Sequence, residues 1–312
     1  MKSDKEIIYR VVIPVYNSEA IVGETIGRTT SFFDQRELRY GLILINDGSW
    51  DDSWKIISEK ARRLPHVTAI NLLKNYGQHN ANMCGFKHTR GDFVITMDDD
   101  LQNPPEEIEK MIRKINEGYD LVIGRFQQNQ HAGYRRIGSK LIGLVNRKIF
   151  QTPEGVVLTN FRIMRRHVVD RVCDYKTSYP YVPGLVLWFS QDIVNILVEH
   201  HPRRAGESNY SLMTILKLVS TILFNYSSFP LRSVAFGGMI VSILSMLLGV
   251  GYIVSNLLAG TNVQGWTTIV VLLSFFNGMS LLVISMIGEY LVRLLNQSSS
   301  SESFHIKEVV AE

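Results

Sequence analysis

Asp92-Phe93-Val94-Ile95-Thr96-Met97-Asp98-Asp99-Asp100-Leu101-Gln102-Asn103-Pro104 is the stretch on which the reading of the chain turns. A short run rich in β-branched and aromatic side chains stops at three consecutive acids. Asn103 then suits a helix N-cap and Pro104 the first helical position, opening a helical pattern from Pro104 to Glu117. Strand, polar turn and helix in that order are the repeating unit of an α/β sheet. The same rhythm runs outward in both directions. Strand runs cover Ile7 to Val15, Tyr40 to Ile45, Val67 to Leu72 and Asp120 to Gly124, with helical patterns at Ser18 to Phe33 and Asp51 to Leu64. The expected core is a mostly parallel sheet flanked by helices on both faces. Ligands of such sheets bind at the carboxyl ends of the strands, so the residues just past each strand are the ones to question.

Those residues are Pro14-Val15-Tyr16-Asn17, Asn46-Asp47-Gly48-Ser49 and Asp98 to Gln102. Neither a Walker A pattern nor Gly-x-Gly-x-x-Gly is present, so a nucleotide's phosphates have no glycine loop to bind. Carboxylates at a strand end can instead hold Mg²⁺ or Mn²⁺ shared with substrate phosphate oxygens. On an extended segment Asp98 and Asp100 point the same way and Asp99 the other. From these three residues alone, a metal site and a solvated turn are equally good readings.

The 312 residues are 46% hydrophobic and carry a net charge of +4, which excludes a disordered chain. Cys84 and Cys173 fit no disulfide framework, zinc or redox spacing. Lys and Arg are scattered rather than clustered, so no nucleic-acid partner is expected. Met1 to Arg10 mixes acids and bases, and no signal peptide is expected. Composition changes sharply further on. Val234 to Ala259 is 26 residues without a charge, and Trp266 to Ile287 is a second uncharged run. The first would be ~39 Å long as a helix, more than the ~30 Å core of a bilayer. Two transmembrane helices are expected, the alternative being a pair of buried core helices. The connecting Gly260 to Gly265 lacks Lys and Arg, whereas Arg232 and Arg293 flank the spans, which puts both termini in the cytoplasm. Ahead of them Leu212, Ile215, Leu216, Val219, Ile222, Leu223 and Tyr226 form the stripe of an amphipathic helix. Such a helix lies either in the membrane interface or against a soluble core. Gly237, Gly238, Gly249 and Gly251 permit close helix packing, including in a homo-oligomer.

Val12-Ile13-Pro14-Val15-Tyr16-Asn17, Asn46 to Ser49, Asn75-Tyr76-Gly77-Gln78-His79 and Thr96 to Ile108, in this order, resemble family 2 glycosyltransferases. Within that family the chain is most similar to bacterial enzymes that load a sugar onto undecaprenyl phosphate, and more distantly to dolichol-phosphate mannose synthase. Gly206-Glu207-Ser208-Asn209-Tyr210 and the two closing spans match the same subgroup, so the resemblance covers nearly the whole chain. It implies a GT-A-like catalytic domain over 1–209, an interfacial amphipathic helix and linker over 210–231, a transmembrane hairpin over 232–293 and a cytoplasmic tail over 294–312. It implies that Pro14, Tyr16, Asn17 and Asp47 line the nucleotide of a UDP-sugar donor, with Gln78 beside the donor. Asp98, Asp100 and Gln102 would hold Mg²⁺ or Mn²⁺, and through it the donor diphosphate. The implied acceptor is a polyprenyl phosphate, reached at the cytoplasmic face of a bacterial membrane, with inversion at the anomeric carbon.

Arg125, Arg136 and Ser139 form the expected acceptor-phosphate clamp, Arg125 also being counted with Asp98 and Asp100 as catalytic. A solvated basic face is the other reading of those cations. Arg203, Arg204, Ser208 and Tyr210 lie near the junction with the amphipathic helix, and His200 and His201 read as structural or surface residues. Two positions depart from the family pattern. Asn160 stands where many relatives have Asp, and Asn46 where relatives often have Asp. Asn160 cannot act as a base, which leaves either direct attack by the acceptor phosphate or an acid such as Asp99. A family 2 transferase acting on a polysaccharide or glycolipid hydroxyl and a catalytically silent scaffold are the competing functions. The Gln-x-x-Arg-Trp signature of processive synthases is missing, and the intact acids argue against a silent protein.

Overall fold

The computed structural model describes residues 7–126, 133–177, 179–201, 212–259, 265–298 and 303–311. These fall into two units, one comprising residues 1–216 with 301–312 and the other residues 217–300.

The first unit is built on an eight-stranded sheet in the order β7-β5-β6-β4-β1-β2-β3-β8. Its centre is parallel: β1 (Ile8–Val15) pairs with β2 (Arg39–Asn46) and β4 (Phe93–Thr96), and β2 pairs with β3 (Val67–Leu72). Val11, Val12, Ile13 and Val15 are all fully buried, because helices cover both faces of the central strand. One face receives α1 (Val22–Asp34) and α2 (Ser53–Ala61), whose Val22, Ile26, Phe33 and Ile57 join Val11, Ile13, Leu42 and Leu44 in one core. The α3 helix (Gln78–Lys87) crosses the other face, where Gly85 lies so close to Val12 and Ile45 that a Cβ would stand 2.3 Å from a Val12 methyl. A 3₁₀ turn (Pro105–Glu107) and α4 (Ile108–Ile115) lead into β5 (Leu121–Arg125).

The expectation of a mostly parallel sheet holds for the centre and is modified at both flanks. β6 (Arg162–Arg165) inserts antiparallel between β4 and β5, and β7 (Ile193–Leu197) pairs parallel with β5 at one edge. β8 (Ile306–Val310) closes the other edge, antiparallel to β3, so the segment read as a tail contains a strand of the sheet. Between β5 and β7 lie α5 (Gly133–Phe150), α6 (Arg166–Asp174) and α7 (Val182–Trp188).

α8 (Leu212–Tyr226) matches the amphipathic stripe and buries Val219, Ile222 and Tyr226 at spacings of three and four. In the second unit α9 (Phe229–Ala259) and α10 (Trp266–Ser298) are continuous over 31 and 33 residues. The hydroxyl of Tyr290 on α10 donates to the carbonyl of Ser227 at 3.3 Å. Many apolar side chains along α9 and α10 are exposed, among them Phe236, Ile243, Leu247, Leu258, Leu273, Leu282 and Leu294. Among the described residues no helix is long and apolar enough to cross a membrane. A membrane role for α9 and α10 therefore rests on their sequences and this exposed apolar surface.

The turn after β2 makes one strict demand on the chain. Gly48 has φ 67°, and a Cβ there would lie 2.5 Å from the backbone of Lys74 and Asn75. Gly48→Ala is therefore expected to destabilise the sheet unit by at least about 1–2 kcal/mol from left-handed strain alone. Thermal unfolding followed by circular dichroism should show the drop, whereas Gly27→Ala, inside α1 with open space around its Cβ position, should raise the midpoint slightly.

Candidate active site

The strand order reverses at β1: β2 and β3 follow on one side, and β4 lies on the other. The crevice at such a switch point is the expected ligand site of an open α/β sheet. The loops after β1 and β4 meet there. The backbone N–H of Tyr16 donates to the Asp99 carboxylate at 3.4 Å, and the Thr25 hydroxyl donates to the Asp99 carbonyl at 2.7 Å. Asp99 thus faces the β1–α1 loop, where it also bonds Ser18; burial first and the neighbouring Asp98 and Asp100 next push its carboxyl up to about 7. Strand alternation is not what separates it from its neighbours. The chain turns at Asp99 and Asp100, and Leu101 takes φ 55°.

Asp98 points into a polar network under the crevice. Its Oδ1 accepts from Gln78 Nε2 at 2.6 Å and from Asn160 Nδ2 at 2.8 Å. Asn160 Oδ1 in turn accepts from Asn82 at 3.0 Å and from Arg162 Nη2 at 3.2 Å. With two donors on its oxygen, the Asn160 amide can only present its nitrogen to Asp98. Arg162 is 1% exposed and also donates through Nε to Thr96 Oγ1 at 3.1 Å. Burial lowers its guanidinium to about 10, while the charges of Asp98 and Tyr181 work in the opposite direction. Asp98 itself is shifted up, by burial first and the Asp100 charge second, against the hydrogen bonds and the Arg162 charge that favour its ionised form. Sequence reasoning noticed Asn160 only as a missing base and gave Arg162 no role.

On the donor side the structure gives Asp47 a clamping task. It is 3% exposed, and its two oxygens accept the N–H groups of Tyr76 at 2.7 Å and Gly77 at 2.8 Å. Burial shifts its carboxyl up and those two bonds oppose the shift. Gly77 adopts φ 87°, which turns the chain into α3 and delivers Gln78 to Asp98. Asn46 is buried and donates to Asn71 Oδ1 at 2.8 Å, joining β2 to β3. Pro14 is buried inside β1, whereas Tyr16 is exposed at its mouth. Asn17, at φ 52°, ties two loops together: its N–H donates to Ser49 Oγ at 3.0 Å and its Oδ1 accepts from Trp50 N–H at 3.1 Å.

Beyond the acids, Gln102 Nε2 lies 3.4 Å from both His200 Nε2 and the His201 carbonyl. His200 stacks on Phe126 at 4.2 Å and feels the charge of Asp100. His200, read as structural or surface, is exposed and sits beside the Asp100–Gln102 turn, 98 residues away in sequence from Gln102. No local spacing could have revealed that. Arg125 ends β5 with an exposed side chain. Arg136 and Ser139 lie three apart on α5, but their side chains are outside the described residues, as are Arg203, Arg204, Ser208 and Tyr210 altogether.

Among the described residues no three His, Cys, Asp or Glu side chains gather into a self-sufficient metal cage. The donor set nonetheless fits a hard divalent cation. Asp98 offers Oδ2, which no described hydrogen bond occupies, Asp100 carries a second charge close enough to raise Asp98, and Gln102 adds an amide oxygen. Mg²⁺-type sites use one or two carboxylates and leave positions to water and substrate phosphates.

An open α/β sheet with acids at a strand end beside its switch point places the chain among α/β proteins that bind ligands at that crevice. The description "Glycosyl transferase family 2" matches residues 10–173, and the chain belongs to that family. It is 36% identical over 303 residues to the undecaprenyl-phosphate 4-deoxy-4-formamido-L-arabinose transferase of Proteus mirabilis (strain HI4320), covering 96% of this chain and 93% of that protein. The protein of the same name from Pseudomonas fluorescens (strain SBW25) is 35% identical, with coverages of 96% and 89%. The fold is shared with glucosyl-3-phosphoglycerate synthase of Mycobacterium tuberculosis, solved with Mn²⁺, uridine diphosphate and phosphoglyceric acid. That match has a TM-score of 0.53 at 17% identity and covers 70% of this chain and 77% of the other.

Two predictions follow from the buried network. Replacing Asn160 by Ala removes a donor that orients Asp98, and loss of such an outer partner typically costs about 10–100-fold in metal affinity or activity. Mn²⁺ titration monitored by electron paramagnetic resonance should show that loss. The second concerns His79, whose half-buried ring stands edge-on to Tyr181 at 5.5 Å. Burial first and the Arg162 charge second lower it from 6.5 to about 4. The folded state therefore favours neutral His79, so its contribution is complete above pH 6.5 and is lost as pH falls toward 4. Thermal midpoints measured across that window should fall more steeply for the natural chain than for His79→Gln.

Proposed function

We propose that the protein transfers a sugar from a uridine-diphosphate sugar to undecaprenyl phosphate at the cytoplasmic face of a bacterial membrane, with inversion and with Mg²⁺ or Mn²⁺. The observation that carries this reading is the near full-length similarity to relatives named for undecaprenyl phosphate, combined with an intact acid pair at the sheet's switch point. The structural neighbour with bound Mn²⁺ and uridine diphosphate supports the same donor class.

In this mechanism an oxygen of the acceptor phosphate attacks the anomeric carbon, opposite the departing diphosphate. The new C–O bond forms as the bond to the diphosphate breaks, and uridine diphosphate leaves with the electron pair. Asp98, Asp100 and Gln102 would hold the cation, which when bound would supply charge neutralisation of the leaving group. Asp47 and Gln78 keep the donor loop in place. Arg125 offers its fork of donors to the acceptor phosphate, with Arg136 and Ser139 on α5 completing the clamp. A phosphate monoester with a second pKa of about 6 is largely ionised at neutral pH, so the attack needs no protein base. Asn160, which offers only a donor to Asp98, suits that chemistry.

The membrane reading has two supports. At 1.5 Å per residue α9 and α10 are each about 46–50 Å long, beyond the ~30 Å that a span requires. The same helices contain the uncharged runs Val234 to Ala259 and Trp266 to Ile287. A hairpin of two spans would leave both termini on one side, and the flanking Arg232 and Arg293 support reading that side as the cytoplasm.

The test is release of uridine diphosphate by the detergent-purified protein with Mg²⁺ or Mn²⁺. The donors are the uridine-diphosphate forms of 4-deoxy-4-formamido-L-arabinose, glucose, galactose and N-acetylglucosamine, each with and without undecaprenyl phosphate. Release that depends on the lipid phosphate is expected, and its absence with every donor would overturn the reading in favour of a hydroxyl acceptor or a silent protein. Asp98→Asn and Asp100→Asn should abolish turnover with membrane insertion unchanged. Arg125→Ala should raise the KM for the lipid about 10–100-fold, as expected for a lost charged hydrogen bond, with little change in donor KM.

A further inference from the structure

We propose that the C-terminal strand β8, through Phe304 and His305, is a positioning element of the donor site. The inference rests on the reading of the Asn75–Gln78 loop as part of that site. β3 carries Asn71, which holds Asn46, and then runs directly into the loop whose Tyr76 and Gly77 amides bind Asp47. Its outer edge is covered by β8, with Asn71 opposite Glu308 and Leu72 opposite Ile306 across an irregularity in the ladder. The pairing continues past the strand end, where Leu73 N–H donates to the His305 carbonyl at 2.9 Å.

Two side chains carry the contact onward. Phe304 is 2% exposed, and the ammonium of Lys87, the last residue of α3, lies 5.1 Å from its ring centre. The His305 ring stands edge-on to Tyr76 at 6.3 Å, and the Lys74 ammonium lies 5.4 Å from the Tyr76 ring centre. β8 therefore touches the loop just before α3 and the far end of α3 itself. Between these two contacts stand Gln78, which bonds Asp98, and the amides that bond Asp47. Without β8, β3 would be a bare edge strand and the loop would lose its outer wall. No other described strand pairs with that edge.

The test uses the full-length protein in detergent and compares Phe304→Ala, Phe304→Leu and His305→Ala with Val309→Ala. Val309 is on the same strand, pairs opposite Ile70 and is exposed. Hydrogen exchange of the amides at 74–78 should speed up about tenfold in Phe304→Ala and less in His305→Ala, the size expected of a local opening, with β1 amides unchanged. Calorimetric titration with uridine diphosphate and Mn²⁺ should show a parallel loss of affinity. In turnover the donor KM should rise while kcat and the lipid KM stay the same. Phe304→Leu should restore most of the protection, and Val309→Ala should match the natural chain. Unchanged exchange at 74–78, or equal acceleration throughout the sheet, would overturn the proposal. Because exchange is read without substrate, failure of the natural chain to bind uridine diphosphate would sink the donor assignment and still leave the role of β8 decided.

Discussion

A buried positive charge beneath a cluster of acids is the constraint on which this site is organised. Arg162 is almost wholly withdrawn from water, and an isolated guanidinium there would be costly. Asp98 supplies the compensating charge, but Asn160 stands between them, accepting from Arg162 and donating to Asp98. The amide transmits orientation as well as charge. Its oxygen is committed to Arg162 and Asn82, so its nitrogen must face Asp98, and no described hydrogen bond occupies Asp98 Oδ2. Thr96 secures the same arrangement from the strand side, donating to the Asn160 carbonyl at 2.5 Å and accepting from Arg162. Among the described residues two atoms of this network, Arg162 Nη1 and Asn82 Oδ1, have no hydrogen-bond partner, so the network is paired at its centre and not at its margins.

A second set of bonds gathers loops that the topology leaves separate. Asp47 follows β2 but binds the loop that follows β3, and Gly48 lets the two backbones touch. Asn17 follows β1 but bonds Ser49 and Trp50 after β2. Asp99 follows β4 and bonds Tyr16 after β1. Each strand end thus holds its neighbour's loop, and the order β4, β1, β2, β3 across the sheet becomes one continuous rim. A site made this way is rigid without any single loop being long, which is what preorganised binding of a charged substrate requires.

The parallel centre was legible because its strands are buried on both faces and therefore read as unbroken apolar runs, as in Val11 to Val15. The flanks were not. β6 is four residues, two of them arginines, and β8 is Ile-Lys-Glu-Val-Val after a serine-rich stretch; neither pattern distinguishes a strand from a loop. Both owe their structure to a partner strand already in place. The acids and the loop motifs were legible from their positions at strand ends, whereas the pairing of Asp98 with Asn160 or of Gln102 with His200 depends on contacts across 62 and 98 residues. Such pairings are set by how β6 and β7 return to the sheet, and no local signal records that return.

Asparagine at position 160, where the family resemblance led to the expectation of an acid, is to be weighed against what must approach the site under the proposed reaction. An aspartate there would add a fourth carboxylate beside Asp98 and Asp99, whose carboxyls burial first and neighbouring acids next already shift up. It would serve a neutral hydroxyl acceptor, which has a proton to give up. Under the proposed reaction the acceptor arrives as an anion with no proton in need of a base, and extra negative charge would repel it as well as the donor diphosphate. An asparagine keeps the hydrogen bonds that orient Asp98 and removes the repulsion. The residue that looked like a missing catalytic group is, on this argument, the form the site takes when the nucleophile is already charged.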